Sequence, residues 1–154
     1  MNTYTAQQVT YGQAFVNTIL AALKTVPGAA LIVAGKLRLS NNPTLVLTPQ
    51  TTIAALAANE CAYSGYTAGG IAVVLSAPLN LSNNAQGVLT TGLFLAVTAT
   101  PYVPDTATGW WIDDGTNFIV GERFAGNQVA TFAAPGAFLD LIAELPIQLG
   151  QATS

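Results

Sequence analysis

Histidine is absent from the 154 residues of the chain, and cysteine occurs once, as Cys61. Without histidine, a serine or cysteine nucleophile lacks its usual activating base, and a metal site lacks its commonest ligand. A single cysteine excludes an internal disulfide, and without histidine it also excludes the usual zinc sites. We therefore predict no cofactor and no metal ion, and we expect Cys61 to be a buried apolar side chain.

Charge is also scarce. Asp, Glu, Lys and Arg make up 7% of the chain, against about 25% in an average soluble domain. The net charge of −3 and the four dispersed bases disfavour nucleic acid as a partner, because its binding needs a basic surface. The best apolar run, Val26 to Ala34, is broken by Pro27 and Gly28, whereas a membrane helix needs about 18 apolar residues. We predict no membrane partner either.

Apolar residues, by contrast, make up 51% of the chain. Their abundance argues against disorder. A free monomer with only four basic and seven acidic side chains has little charge to keep copies apart. We therefore predict a surface of small polar and apolar residues that is largely covered by other subunits in a homo-oligomer.

The N-terminal segment carries a helical pattern over residues 5–24. Thr5 and Gln8 have the spacing of a capping box, and Pro27-Gly28 ends the pattern. Apolar residues recur on one face, and they are Val9, Val16, Ile19, Leu20 and Leu23. This face covers the protein's own sheet or docks on a partner. For the second case, Val9, Val16 and Leu20 are candidate interface residues.

From residue 29 onward the pattern changes to short strands and turns. A strand is predicted from Ala29 to Ser40, with a bulge at Gly35, and a short helix near 51–61 capped by Thr51 or Thr52. Asp114-Gly115 predicts a hairpin. Further strands are predicted at 71–75, 88–98, 109–113, 117–124, 128–132 and 139–149. The spacing of the turns predicts one mainly β domain, an antiparallel sandwich or barrel, with residues 1–27 as a helical segment and 29–150 as its β-rich body.

Carboxylates are the catalytic candidates. Asp113, Asp114 and Glu122 surround the predicted hairpin, and paired acids beside aromatic rings are what a glycosidase requires. A simpler interpretation makes Asp114 a turn residue and Glu122 a charge on an edge strand. A calcium site of Asp105, Asp113 and Asp114 lacks the spacing of an EF-hand loop. We favour the structural interpretation, which leaves no catalytic residue and no enzyme.

Trp110 and Trp111 are adjacent in a predicted strand, so their rings point to opposite faces. We expect one ring in the core and the other exposed or in an interface. An exposed tryptophan would serve a carbohydrate-binding module or subunit packing, and the scarcity of charge favours packing. With Tyr63 and Tyr66, the two tryptophans are therefore further candidate interface residues.

Several short motifs follow one another in order between residues 36 and 149, with the predicted helix of 51–60 among them. They are Lys36–Pro43, Tyr63–Tyr66, Trp111–Gly115, Gly121–Phe124 and Leu145–Leu149. In this order the chain resembles small β-rich virion structural proteins of tailed bacteriophages, of the capsid cement or decoration type.

The resemblance implies a β-rich protein on the capsid surface, with the major capsid protein as a partner and no catalytic residues. For a cement protein of this kind, a trimer is the favoured homo-oligomer. Met1 to Tyr4 lack the layout of a signal peptide, which agrees with synthesis in the host cytoplasm. An alternative in the same class is a head–tail or tail component whose N-terminal helix inserts into a ring.

Overall fold

The computed structural model describes residues 10–17, 30–78, 85–87, 91–142 and 145–147. The fold is mainly β and antiparallel, as predicted. The strands are β1 (Thr10–Tyr11), β2 (Ala30–Ser40), β3 (Ile71–Pro78), β4 (Ala85–Gly87), β5 (Thr91–Leu95), β6 (Asp105–Ala107), β7 (Gly109–Asp113), β8 (Phe118–Arg123), β9 (Ala130–Phe132), β10 (Phe138–Ile142) and β11 (Leu145–Ile147). Residues 13–17 are helical (α1), α2 spans Ile53–Ala57, and a short 3-10 helix spans Ala125–Asn127.

The central unit is a five-stranded antiparallel sheet in the order β1-β8-β7-β2-β3. Strand β2 pairs with β3 up to Leu37 and with β7 from Lys36 onward. Beyond Leu37, the chain after α2 replaces β3 as the neighbour of β2. There the Cys61 N–H donates to the Leu39 carbonyl at 2.9 Å. Among the described residues, three two-stranded sheets complete the fold, namely β5–β10, β4–β11 and β6–β9. The barrel does not close, which leaves the sandwich of the two predicted architectures.

A cluster of buried side chains lies on each face of the five-stranded sheet, although Val74 of β3 is half exposed. One face carries Leu37, Leu39 and Trp110 into the main core. The inner side chains of β5, β9 and β10 pack there as well, and they are Phe94, Phe132, Leu139 and Leu141. The opposite face carries Trp111 and Phe118 into a second cluster with Leu56, against which Leu45 and Leu47 pack. The layers therefore run from the 45–56 segment, through the five-stranded sheet, to β5–β10.

The predicted hairpin and the predicted short helix are confirmed. Asp114 Oδ1 accepts hydrogen bonds from the amides of Thr116 and Asn117, at 2.8 and 2.6 Å. Gly115 has a φ of +88°, a conformation that glycine adopts without strain. Helix α2 begins after Thr52, whose hydroxyl accepts from the Ala55 amide at 3.3 Å.

The bulge predicted at Gly35 was wrong. The β2–β3 register runs unbroken through Gly35, and the irregularity lies in β7 between Ile112 and Asp113. Glycine occupies position 35 because a Cβ there would lie 2.7 Å from Ile112 Cγ2 and 2.9 Å from the Asp113 carbonyl oxygen.

The N-terminal helix begins later than predicted. Thr10 and Tyr11 form β1 against Gly121 and Val120 of β8, and the first helical hydrogen bond runs from Val16 N–H to the Gly12 carbonyl at 3.1 Å. A partner strand therefore outweighed the helical pattern at these positions. Residues 5–9 and 18–24 of the predicted helix lie outside the described residues.

A partly buried ion-pair network joins the sheet to the chain after α2. Asp113 is fully buried, and its Oδ2 lies 2.7 Å from Arg38 Nε. Its carboxylate also accepts hydrogen bonds from the Trp111 indole at 3.1 Å and the Gly115 amide at 3.0 Å. Arg38 Nη1 donates to Glu60 Oε2 at 3.1 Å. Burial acts to lower the pKa of Arg38, but the two carboxylates raise it above its ordinary value.

Glu60 and Tyr66 extend the network to the backbone. Glu60 Oε1 accepts from the Tyr66 hydroxyl and from the Gly69 amide, both at 2.9 Å. The Tyr66 oxygen in turn accepts from the Leu39 amide at 3.2 Å. Both carboxylates therefore have an ion-pair partner and hydrogen-bond donors, so neither is unpaired inside the fold.

We expect Asp113→Asn to lower the free energy of unfolding by about 3–5 kcal/mol, because it leaves Arg38 partly buried without its closest counter-ion. Asp114→Asn is the matched control, since an asparagine oxygen can still accept from the turn amides, and its effect should stay within about 0.5 kcal/mol. Urea denaturation of both variants measures the difference. Equal losses in the two variants would contradict a stabilising role for the Arg38–Asp113 contact.

Candidate functional site

The two tryptophans point to opposite faces of the sheet, as predicted, but neither is exposed. Trp110 is 3% exposed and Trp111 is 1% exposed. The expectation that one ring would be exposed or in an interface was wrong, because Leu45, Leu47 and Leu56 cover the second face. Neither ring offers a platform for a sugar or a partner.

The other candidate interface residues divide between the core and the undescribed segments. Tyr63 is buried and stacks on Phe132 with ring centroids 3.9 Å apart. Tyr66 is partly buried, with its hydroxyl in the Arg38 network. Val16 is also partly buried. Val9 and Leu20 lie outside the described residues. Tyr63 is therefore corrected from an interface residue to a core residue.

The proposed acid pair does not converge. Glu122 lies opposite Trp110 in the β7–β8 register, on the side of the main core, whereas Asp113 bonds with Trp111 and Arg38. Glu122 is also not on an edge strand, because β8 lies between β7 and β1. The edge-charge interpretation of Glu122 was therefore wrong, and the carboxylates do not flank a common space.

Asp105 is likewise engaged by its own neighbourhood. Its Oδ2 accepts from the Ala62 amide at 2.7 Å, and its Oδ1 accepts from the Thr106 amide at the same distance. Asp105 borders an open cleft with a volume of about 470 Å³, which is lined by Asn41, Pro104, Thr106, Thr131 and Ala133. Within the described ranges, no three His, Cys, Asp or Glu side chains are placed to hold a metal ion.

Cys61 is buried, as predicted. Burial is the main cause that raises the pKa of its thiol, and nearby Asp105 and Glu60 add to the effect. The thiol is therefore protonated at neutral pH, which is the unreactive form.

A group of exposed apolar side chains lies on the outer side of the β5–β10 pair. Its inner side chains are buried, whereas Leu93 and Phe138 are 59% exposed and Leu95 and Val97 are 46% exposed. Leu95 lies directly opposite Phe138 in the register. We call Leu93, Leu95, Val97 and Phe138 the outer apolar face.

The sequence of this strand explains the exposure. Residues 93–97 are Leu-Phe-Leu-Ala-Val, so apolar side chains point to both faces of the strand. Such a run is typical of a strand that is covered on both faces. The chain itself covers the inner side, through Phe94 and Ala96. Strands were predicted here, but the exposed face was missed, although the uninterrupted apolar run was a signal for it.

The surroundings of the face add little charge. Asp140, opposite Leu93, is the one charged residue of β5 and β10. At the other end, the Val97 amide donates to the Ser64 carbonyl at 3.0 Å, and the Ser64 amide donates to the Val103 carbonyl at 2.9 Å. Val103 is itself about half exposed.

Glu122 gives the fold a pH dependence. Burial raises its pKa to about 7, and a hydrogen bond from the Trp110 side chain opposes the shift. Because the folded state keeps the proton after the unfolded chain has lost it, stability should fall by roughly 2–3 kcal/mol as the pH rises from about 4.5 to 7.

Glu122→Gln removes this titration and keeps an acceptor for the indole. We expect the variant to match the wild type near pH 4.5 and to exceed it in stability above pH 7. Denaturant unfolding of both proteins across this range isolates Glu122, since the other carboxylates are common to both. Parallel curves would contradict the assignment.

No helix within the described ranges is long and apolar enough to cross a membrane. Compared with protein-family models, curated proteins and solved structures, the chain matches none of them. Function must therefore be argued from the chain's own surface and chemistry.

Proposed function

We propose that the chain is a structural virion protein, a cement or decoration protein that stabilises the head of a tailed bacteriophage. It would do so through contacts with its own copies and with the major capsid protein. The observation that carries the proposal is the outer apolar face, a sheet surface that the described chain leaves uncovered.

Exposed apolar area of this kind favours association. Burial contributes about 25 cal/mol for each Å² removed from water, and contiguous apolar patches mark interaction sites. The face lies on two paired strands whose inner residues are in the main core, so its shape is fixed before a partner arrives. Little ordering is then lost on binding, which favours a stable contact.

The placement of the charges strengthens this argument. Asp113 and Glu122 are buried, and the side chains of Arg38 and Glu60 are only 14% and 13% exposed. Four of the few charged residues thus lie in the interior and contribute little repulsion between copies. Contacts built from apolar area depend less on salt than ion pairs do, which suits a particle that meets changing ionic conditions.

Two alternatives from the sequence fare differently. The carbohydrate-binding module depended on an exposed tryptophan, and both rings are buried. The head–tail or tail component depended on residues 5–24, most of which lie outside the described residues. The three-fold oligomer, which was predicted with the cement-protein resemblance, likewise stays a prediction.

The test uses phage heads assembled without this chain. We expect such heads to release their DNA at a lower temperature than complete heads. Addition of the purified chain should restore the higher temperature, with more than one copy bound per vertex. Calorimetry of the heads and quantitative gel analysis of the bound chain measure the two effects.

Complete heads are the matched control, because their sites are already occupied and they should take up no further chain. Heads that are equally stable without the chain and do not bind it would overturn the proposal. Recovery of the chain with tails rather than heads would also overturn it, in favour of the tail component.

A further inference from the structure

We propose that the outer apolar face is covered by the same face of a second copy, in a two-fold symmetric pair. The inference rests on the proposed function in that it names the partner for one surface of an assembly protein. Its test in solution needs no phage particle, so the two proposals can fail separately.

The area of the face fits the centre of such a contact. With 46–59% of each residue exposed, the four residues present on the order of 400 Å² of apolar surface. A stable interface covers about 800 Å² on each partner, with an apolar centre and a more polar rim. The face thus supplies about half of this area as an apolar centre.

The register makes the face complementary to itself. Leu95 and Phe138 lie opposite each other in the middle, with Leu93 toward one end and Val97 toward the other. Two sheets pack face to face with their strands nearly aligned. A two-fold axis across the strands would place Leu95 and Phe138 against their own copies and bring Leu93 over Val97 of the other copy.

Charge is compatible with this arrangement. Asp140 stands at the Leu93 end of the face. Reversal of the strand direction in the second copy puts the two Asp140 carboxylates at opposite ends of the contact, where each stays in water. No basic side chain occurs in β5 or β10, so an acidic partner would find no counter-charge on these strands, whereas a second copy needs none.

The first experiment compares Leu95→Asp with Val46→Asp by mass photometry and sedimentation. Val46 is 74% exposed and follows Leu45 on the opposite side of the sheet, so it is the matched control. We expect the wild type and Val46→Asp at twice the 15.8 kDa chain mass. Leu95→Asp should be monomeric, with self-association at least about 100-fold weaker because the contact would bury unpaired carboxylates.

Folding is checked by circular dichroism, and Phe138→Asp provides a second variant of the same face should Leu95→Asp unfold. A monomeric wild type would overturn the inference. So would a wild type at three times the chain mass, which would support the three-fold oligomer instead, and so would a folded Leu95→Asp or Phe138→Asp variant that still pairs.

The second experiment tests the two-fold axis directly. Leu95→Cys places a thiol beside its own copy across the axis, and mild oxidation should join two chains through a disulfide. Val46→Cys is the control and should stay unjoined, as should the wild type, because Cys61 is buried. Equal cross-linking of the two variants would overturn the pairing.

Discussion

The position of Arg38 between Asp113 and Glu60 is the contact on which the rest of the architecture depends. Strand β2 loses β3 as its neighbour after Leu37, and the chain after α2 must take over that edge. Arg38 joins this chain, through Glu60, to the neighbouring strand β7, through Asp113. A guanidinium suits the position because it stays charged and offers several donors in one plane. Removal of either carboxylate would leave the partly buried Arg38 with one counter-ion instead of two.

This use of charge has a consequence at the surface. A chain with eleven charged side chains that keeps several of them inside has few left to maintain separation between copies. Glu122 is the extreme case, since it faces the main core and tends to hold its proton near neutral pH. The interior is thereby fixed by polar contacts, whereas the outer side of β5 and β10 is left to apolar side chains.

The proposed assembly role follows from that division. A sheet face with Leu93, Leu95, Val97 and Phe138 outward is unfavourable in water and favourable in a contact. The alternation of side chains along residues 93–97 explains how the face arises. Phe94 and Ala96 point into the core, and the alternate residues point outward. In the proposed assembly, one short strand would serve both the fold and the function, and a partner would add a further layer to the sandwich.

Local chemistry let the sequence by itself determine the mainly β fold, the Asp114-Gly115 hairpin and the Thr52-capped helix, because turn residues, caps and alternation act over a few neighbours. It also determined the scarcity of charge. The tertiary structure decided what depends on distant partners. Thr10 and Tyr11 form a strand because they pair with β8. Trp111 is buried because the 45–56 segment packs on it. Arg38 contacts Asp113, which lies 75 residues away in the sequence, because their strands pair. The exposed side of β5 was also decided by the tertiary structure. An apolar run indicates that both faces of a strand are covered, but only the packing shows which face the chain covers by itself.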